Sequence, residues 1–230
     1  MDFEALYVDA QSIGGGVAET VRRAESSGVR VFALGPGVLE KIADAQTPQP
    51  VIAAVRFPVV DVGDIAVEGL TVILHDVRDP GNAGTIIRSA DAGGATAVVF
   101  TGQSVDPYNP KTLRATAGSV FHLPVAVANL EETLEHFKGG GADTFATVVR
   151  GGTSLRKTDL SRASVVVIGN EASGLDDATV ARCDAAITIP MAGRSESLNA
   201  AIAASLIIFE ALYQRQDATA SPAPRSLEEL

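Results

Sequence analysis

Short apolar runs rich in Val, Ile and Ala recur along the 230-residue chain, separated by segments whose apolar positions follow a helical spacing. The runs predict strands over Ala5–Val8, Val29–Ala33, Val51–Val55, Val72–His75, Ala97–Phe100, Val125–Val127, Phe145–Val149, Val165–Ile168 and Ala186–Ile189. They do not alternate strictly between apolar and polar residues, as expected of strands buried on both faces of a parallel sheet. Helices are predicted over Ala18–Ser26, Gly37–Ala45, Ala83–Ala92, Pro110–Ala117, Leu130–Phe137, Asp176–Cys183 and Ser197–Gln214. Strands alternating with helices point to the α/β class. The irregular stretch RFPVVDVGDIAVEGL separates two such sections. The pattern therefore predicts a small N-terminal domain over 1–60, a linker over 61–69, a main domain over 70–216 and a frayed Pro/Ala/Ser-rich tail over 217–230.

Apolar residues make up 46% of the chain and charged residues 20%, enough to bury a core and to exclude a wholly disordered chain. The one cysteine, Cys183, excludes an internal disulfide and a cysteine-based zinc site; in a helical pattern it reads as a small buried hydrophobe. The acidic start MDFEALYVDA has no basic n-region or apolar core of a signal peptide. The longest apolar stretch, 200–209, is too short to span a bilayer, so a soluble, cytoplasmic protein is expected. Eighteen Lys and Arg against 28 Asp and Glu give a net charge of -10, the wrong sign for an ordinary nucleic-acid binder.

The common chemical signatures GxxxxGK[ST], GxSxG, HExxH and CxxC are absent. The spacings of His75, His122 and His136 suit no metal cage, and no metal is expected. Gly14, Gly15 and Gly16 follow a strand and precede a helix, but without GxGxxG spacing they read as a flexible turn.

Three segments stand out. LHDVRDPGNAGTIIRSADAGG runs from a strand through Asp79-Pro80-Gly81-Asn82 into a helix carrying Arg88. Helix punctuation explains its prolines and glycines, but not Asn82 or an arginine among Ile86, Ile87 and Ala90, which is costly to bury unpaired. VVVIGNEASG ends a strand in Gly169-Asn170-Glu171, where a glycine lets backbone approach a ligand at the carboxyl end of a parallel strand. ITIPMAGRSESLN leads into a long apolar helix, with Ser195 or Ser197 as candidate N-caps. Ala200, Ala201, Ala203 and Ala204 permit close packing of that helix on another helix or subunit.

In this order and spacing, Asn82 and Arg88, Gly169-Asn170-Glu171 and Ser197-Leu198-Asn199 resemble the three motifs of the SpoU family of RNA ribose 2′-O-methyltransferases, within the SPOUT class. The likeness covers roughly Leu70 to Gln214. More weakly, the N-terminal section resembles the family's small ribosomal-protein-like RNA-binding domain in shortened form. The resemblance implies a parallel-sheet methyltransferase domain with a C-terminal trefoil knot, a homodimer, and S-adenosylmethionine held by the motifs. The cofactor positions it implies are Thr147, Val148, Gly151, Gly169, Asn170, Glu171, Ile189, Met191, Ser197 and Leu198. Ala172 stands where many members carry glycine. Catalytic positions fall on Asn82, Arg88, Glu171, Ser197 and Asn199. Arg88 would act as base or as an electrostatic anchor for phosphate, with the other four orienting it and the ribose through hydrogen bonds.

The implied substrate is RNA, with ribosomal RNA preferred to transfer RNA because of the additional N-terminal domain. A non-catalytic RNA-binding member and a small-molecule enzyme of doubly wound type are the rival readings. The latter suits the negative charge but leaves the three ordered motifs unexplained. Candidate RNA contacts are Arg22, Arg23, Arg30, Arg88, Arg114, Arg150, Arg156 and Lys157. Eleven of the 18 basic residues lie between Arg78 and Arg194. A local basic groove across the dimer is expected on an otherwise acidic body.

Overall fold

A computed structural model describes residues 2–43, 48–57 and 60–220, which separate into two units at Val59/Val60. In the first unit β1 (Asp2–Asp9), α1 (Gly15–Ser26), β2 (Arg30–Leu34), α2 (Leu39–Ile42) and β3 (Val51–Arg56) form a three-stranded sheet of order β2-β1-β3. β1 runs parallel to β2 and antiparallel to β3. Gly15 and Gly16, expected in a turn, instead open α1, with Gly14 as N-cap. The helix predicted over 37–45 is confined to the single turn α2, and its last two positions lie outside the described residues.

The second unit continues with β4 (Leu70–His75), α3 (Pro80–Ala92), β5 (Ala97–Thr101), α4 (Pro110–Thr116), β6 (Val125–Val127), α5 (Leu130–Gly139), β7 (Asp143–Thr147), β8 (Thr153–Ser154), β9 (Ser164–Ile168), α6 (Asp177–Ala181), β10 (Ala185–Thr188) and α7 (Ala200–Ala220). The strands form one seven-stranded sheet of order β6-β5-β4-β9-β7-β10-β8, parallel at every pairing. Its central strands are buried throughout, which explains why the sequence shows apolar runs rather than alternation. On one side Ile73, Val99, Val165 and Val167 pack with Leu130, Leu134 and Phe137. Residues 61–69 are no spacer: Ile65 is buried, and Val62 and Val67 pack on the same core. The apolar periodicity there is too short to reveal this.

Polar caps fix where helices begin. Asp79 accepts from the Asn82 amide at 2.7 Å with Pro80 in the first turn of α3, and Asn109-Pro110 repeats the device at α4. Asn129 and Asp176 cap α5 and α6. α7 starts at Ala200, later than the sequence suggests, because Asn199, rather than Ser195 or Ser197, is its cap. Asn199 Oδ1 accepts from the amides of Ala201 and Ile202 at 2.9 and 3.2 Å. The helix runs on to Ala220, and the rest of the tail lies outside the described residues.

α7 packs on α3, with its Ala201, Ala204 and Ile208 buried and Ile208 beside Gly93 at the end of α3. The Ser89 and Ser205 hydroxyls meet at 2.7 Å between the two helices. Its other face leaves Ile202 (52% exposed), Leu206 (45%) and Tyr213 (56%) in solvent, one helical stripe. Among the described residues no helix is long and apolar enough to cross a membrane, and no cluster of His, Cys, Asp and Glu could hold a metal ion.

Candidate active site

The parallel sheet brings the carboxyl ends of β4, β7, β9 and β10 to one edge, where the chain leaves each strand through a polar loop. A cleft enclosing about 890 Å³, part of it open to solvent, lies among the loops after β7, β9 and β10 and the start of α7. Nine of the ten expected cofactor positions line it: Thr147 and Val148 on one side, Gly169, Asn170 and Glu171 on another, and Ile189, Met191, Ser197 and Leu198 opposite. Gly151 is not among its lining residues; the chain turns away after Val149. Ile168, Ile187, Ala203 and Ile207 complete an apolar floor that the motifs alone did not indicate. Their burial in strand and helix gave them the look of ordinary core.

Gly169 is required by its neighbours. A Cβ there would lie 2.5 Å from the Gly174 carbonyl carbon and 2.7 Å from the Leu175 nitrogen. Asn170 shapes the loop that follows: its Oδ1 accepts from the amides of Ala172 and Ser173 at 2.9 and 3.1 Å, while its carbonyl accepts from Gly174 at 2.9 Å. The Thr147 hydroxyl donates to the Val167 carbonyl at 2.8 Å, leaving its oxygen as an acceptor at the cleft wall.

The three motifs meet beside this cleft. Glu171 accepts from the amides of Arg78 (3.2 Å) and Asp79 (3.1 Å) and from Asn82 Nδ2 (3.1 Å). Asn82 Oδ1 in turn accepts from Asn199 Nδ2 at 2.9 Å. One continuous chain of bonds thus ties α3, the loop after β9 and the start of α7. Partial burial pushes the Glu171 carboxyl up, but the Asn82 amide and the backbone N–H groups of Glu171, Asp79 and Arg78 outweigh it and hold the carboxyl below its ordinary value. A carboxylate so engaged is a clamp on the α3 N-terminus rather than a free base. The Ser197 side chain is exposed, and its carbonyl accepts from the Ser195 hydroxyl at 2.8 Å.

Arg88 corrects the expectation of a buried arginine held by acceptors. Ile86, Ile87 and Ala90 are fully buried, but Arg88 projects from the opposite side of α3 into solvent. It makes no hydrogen bond or ion pair among the described residues, and Asn82, Glu171 and Asn199 bond one another instead of it. Six residues along a helix is a rotation of about 240°, so Asn82 and Arg88 do not share a face.

The other basic candidates divide by their partners. Arg156 is bound to Glu210 and Arg22 to Glu19 at 2.6 Å, so both are partly neutralised within the chain. Arg30 donates to the Glu4 carbonyl at 3.4 Å and lies 5.9 Å from the Phe32 ring centre. Arg150 is exposed and its side chain has no partner among the described residues, as is also true of Arg78 and Arg194, which the sequence reading passed over. Backbone position places both: the Arg78 amide is bonded to Glu171, and Arg194 lies in the loop between Met191 and Ser197. The histidines are structural: His136 Nε2 lies 2.9 Å from the Ile65 carbonyl, His75 Nδ1 2.9 Å from the Thr101 hydroxyl and His122 Nδ1 2.9 Å from Asp91.

Comparison with known proteins agrees with this arrangement. The 23S rRNA (guanosine(2553)-2′-O)-methyltransferase of Bacillus subtilis is 32% identical over 183 residues, covering 80% of this chain and 73% of that one. The 23S rRNA (uridine(2479)-2′-O)-methyltransferase of Streptomyces viridochromogenes is 36% identical over 193 residues, 80% of this chain and 67% of the relative. Among solved structures, the SpoU methyltransferase AviRb of Streptomyces viridochromogenes in complex with AdoMet superposes with a TM-score of 0.84 at 32% identity, covering 93% and 83% of the two chains. An AdoMet-bound rRNA methyltransferase from Sinorhizobium meliloti superposes with a TM-score of 0.82 at 34% identity, covering 91% and 79%. The SpoU rRNA Methylase family model matches residues 69–209, the span that holds the cleft and all three motifs, and the chain belongs to that family.

Proposed function

We propose that the chain transfers a methyl group from S-adenosylmethionine to a ribose 2′-hydroxyl of ribosomal RNA. The observation that carries this reading is the bonded cluster Glu171–Asn82–Asn199 at the mouth of a cleft that fits the cofactor. Its Ile, Leu and Val walls suit an adenine face, with hydroxyls and open backbone for the polar remainder. When bound, the cofactor supplies a methyl group activated on a sulfonium, so the protein's task is to position a weak nucleophile in line with it. The spare amide N–H groups of Asn82 and Asn199 and the Ser197 hydroxyl are placed to orient the ribose. Because guanidinium groups stay charged at physiological pH, we assign Arg88 to holding a phosphate next to the target. Arg78, Arg150 and Arg194, unpaired around the cleft, extend that basic track. Arg156 and Arg22 drop to minor roles.

The exposed apolar stripe of α7 supports a homodimer, since a helix face of Ile202, Leu206 and Tyr213 is stabilised by burial against a second copy. The return of α7 from the far end of the sheet to α3, with Asn199 bonded to Asn82, supports the family's C-terminal knot. The N-terminal unit supports the choice of ribosomal RNA as an added RNA-binding module, and a cytoplasmic location follows from that substrate. The test is transfer of a labelled methyl group to ribosomal RNA from cells lacking the gene, with the product nucleotide mapped. Loss of transfer in Arg88→Ala is expected, with S-adenosylmethionine affinity retained. Full transfer by Arg88→Ala would overturn the assignment, and no binding of S-adenosylmethionine by the wild type would overturn the reading itself.

A further inference from the structure

Asp76 has a left-handed backbone, φ +58°, a conformation that costs a residue with a side chain unless something fixes it there. It sits just past β4, the strand lying between β5 and β9. It touches the exits of both neighbours. Its amide donates to the Thr101 carbonyl of β5 at 3.3 Å, and its carboxylate accepts from the Gln103 amide at 2.5 Å. Its carbonyl accepts from Asn170 Nδ2 at 2.8 Å, in the loop after β9. The neighbouring glycine is fitted to this contact, for a Cβ on Gly102 would lie 2.4 Å from Asp76 Oδ1.

The consequence runs into the cleft. An Asn170 amide whose Nδ2 is held by Asp76 must present Oδ1 to the amides of Ala172 and Ser173, and this sets the loop that forms one wall. The same connection is tied in the reverse sense, since Glu171 takes the amides of Arg78 and Asp79. Two crossed sets of bonds join segment 76–79 to segment 170–171, and only one of them contains a motif carboxylate. Without the left-handed turn the Asp76 carbonyl would not face Asn170, and the amide would lose the partner that holds its Nδ2.

We propose that Asp76 is a positioning residue for the cofactor: its left-handed turn, locked by the Gln103 amide, orients Asn170 and through it the cleft wall. This rests on the reading of the cleft as the S-adenosylmethionine site. Asparagine visits the left-handed region readily and keeps an acceptor; alanine, which this chain holds there at Ala117, has no acceptor for the Gln103 amide, and valine adds the steric cost of a branched Cβ.

The test is calorimetric titration of the full-length protein with S-adenosylmethionine, together with KM for cofactor and for RNA. Asp76→Val is expected to weaken cofactor affinity at least about tenfold, Asp76→Ala by somewhat less and Asp76→Asn by no more than about threefold. KM for RNA should hardly move. Asn170→Ala should weaken the cofactor comparably, and adding Asp76→Ala to it should cost little more, because the two act through one contact. Additive losses, or wild-type affinity in folded Asp76→Ala, would overturn the proposal. So would an equal fall in RNA and cofactor binding, which marks a merely structural role. Should Asp76→Val not fold, Asp76→Ala and the double variant decide. Failure of the wild type to bind S-adenosylmethionine would strike the reading of the cleft instead.

Discussion

Gly169→Ala puts the cleft's geometry to a quantitative test. Gly169 is absent from the residues with positive φ, so alanine brings no backbone strain and the perturbation is steric. The added carbon would lie 2.5 Å from the Gly174 carbonyl carbon, 2.7 Å from the Leu175 nitrogen and 2.8 Å from the Gly174 oxygen, all backbone atoms that no rotamer change can move. Relaxed carbon contacts lie at roughly 3.5–4.0 Å, so segment 174–175 must retreat by about 1 Å. Overpacking of this kind costs about 1–3 kcal/mol, which for a chain of this size lowers the melting temperature by roughly 2–12 °C. Because the displaced segment is bridged to Asn170, the cleft wall moves with it. A displacement near 1 Å at a positioned site is worth on the order of 10²-fold in turnover. Thermal melting and titration with S-adenosylmethionine read the two effects separately. A Gly169→Ala protein with unchanged melting and unchanged cofactor affinity would refute the close approach and the assignment of this wall together.

Acid sensitivity follows from Glu171. Its folded-state pKa is depressed, so its stabilising contribution is present above the ordinary glutamate value and is lost as pH falls through the lower folded value. Melting of the wild type should fall on acidification below about pH 4.3, and Glu171→Gln should lose that part of the dependence; parallel curves would sink the clamp. Ile202→Asp with Leu206→Asp should convert a dimer to a monomer in sedimentation, and a wild type that is monomeric at all concentrations would remove the dimer reading. Burial pushes the Cys183 thiol up to about 11, so alkylation at pH 8 should be slow in the native protein and fast in urea; equal rates would contradict its packing. Charge reversal at Arg78 should raise KM for RNA and leave that for the cofactor alone, reducing the salt slope of binding by about 1.

The parallel sheet was legible because its strands are apolar on both faces, and the helix starts because Asp79-Pro80 and Asn109-Pro110 announce themselves. Glu171, Asn82 and Asn199 are joined directly, whereas Arg88 and Ser197 stay outside that chain of bonds. What periodicity could not supply was direction within a helix. Arg88 sits among buried neighbours in sequence but points outward, because successive helical residues differ by about 100°. Nor could it distinguish cleft floor from core, since Ile187 and Ile207 serve both with the same side chain. Whether a cation is spent on a carboxylate is decided by residues distant in the chain, as Arg156 shows with Glu210, 54 positions away. The left-handed Asp76 escaped notice for a related reason: an aspartate before a Val-Arg-Asp-Pro run has no sequence mark of its backbone state.

The bond from Asn199 to Asn82 spans 117 residues, and it has a bearing on biosynthesis. A nascent chain that has emerged only through β10 can pair its sheet strands, yet it has neither the cap of α7 nor the third wall of the cleft. On the proposed reading, a chain stopped before α7 is expected to bind no S-adenosylmethionine, which titration of a chain truncated after β10 checks.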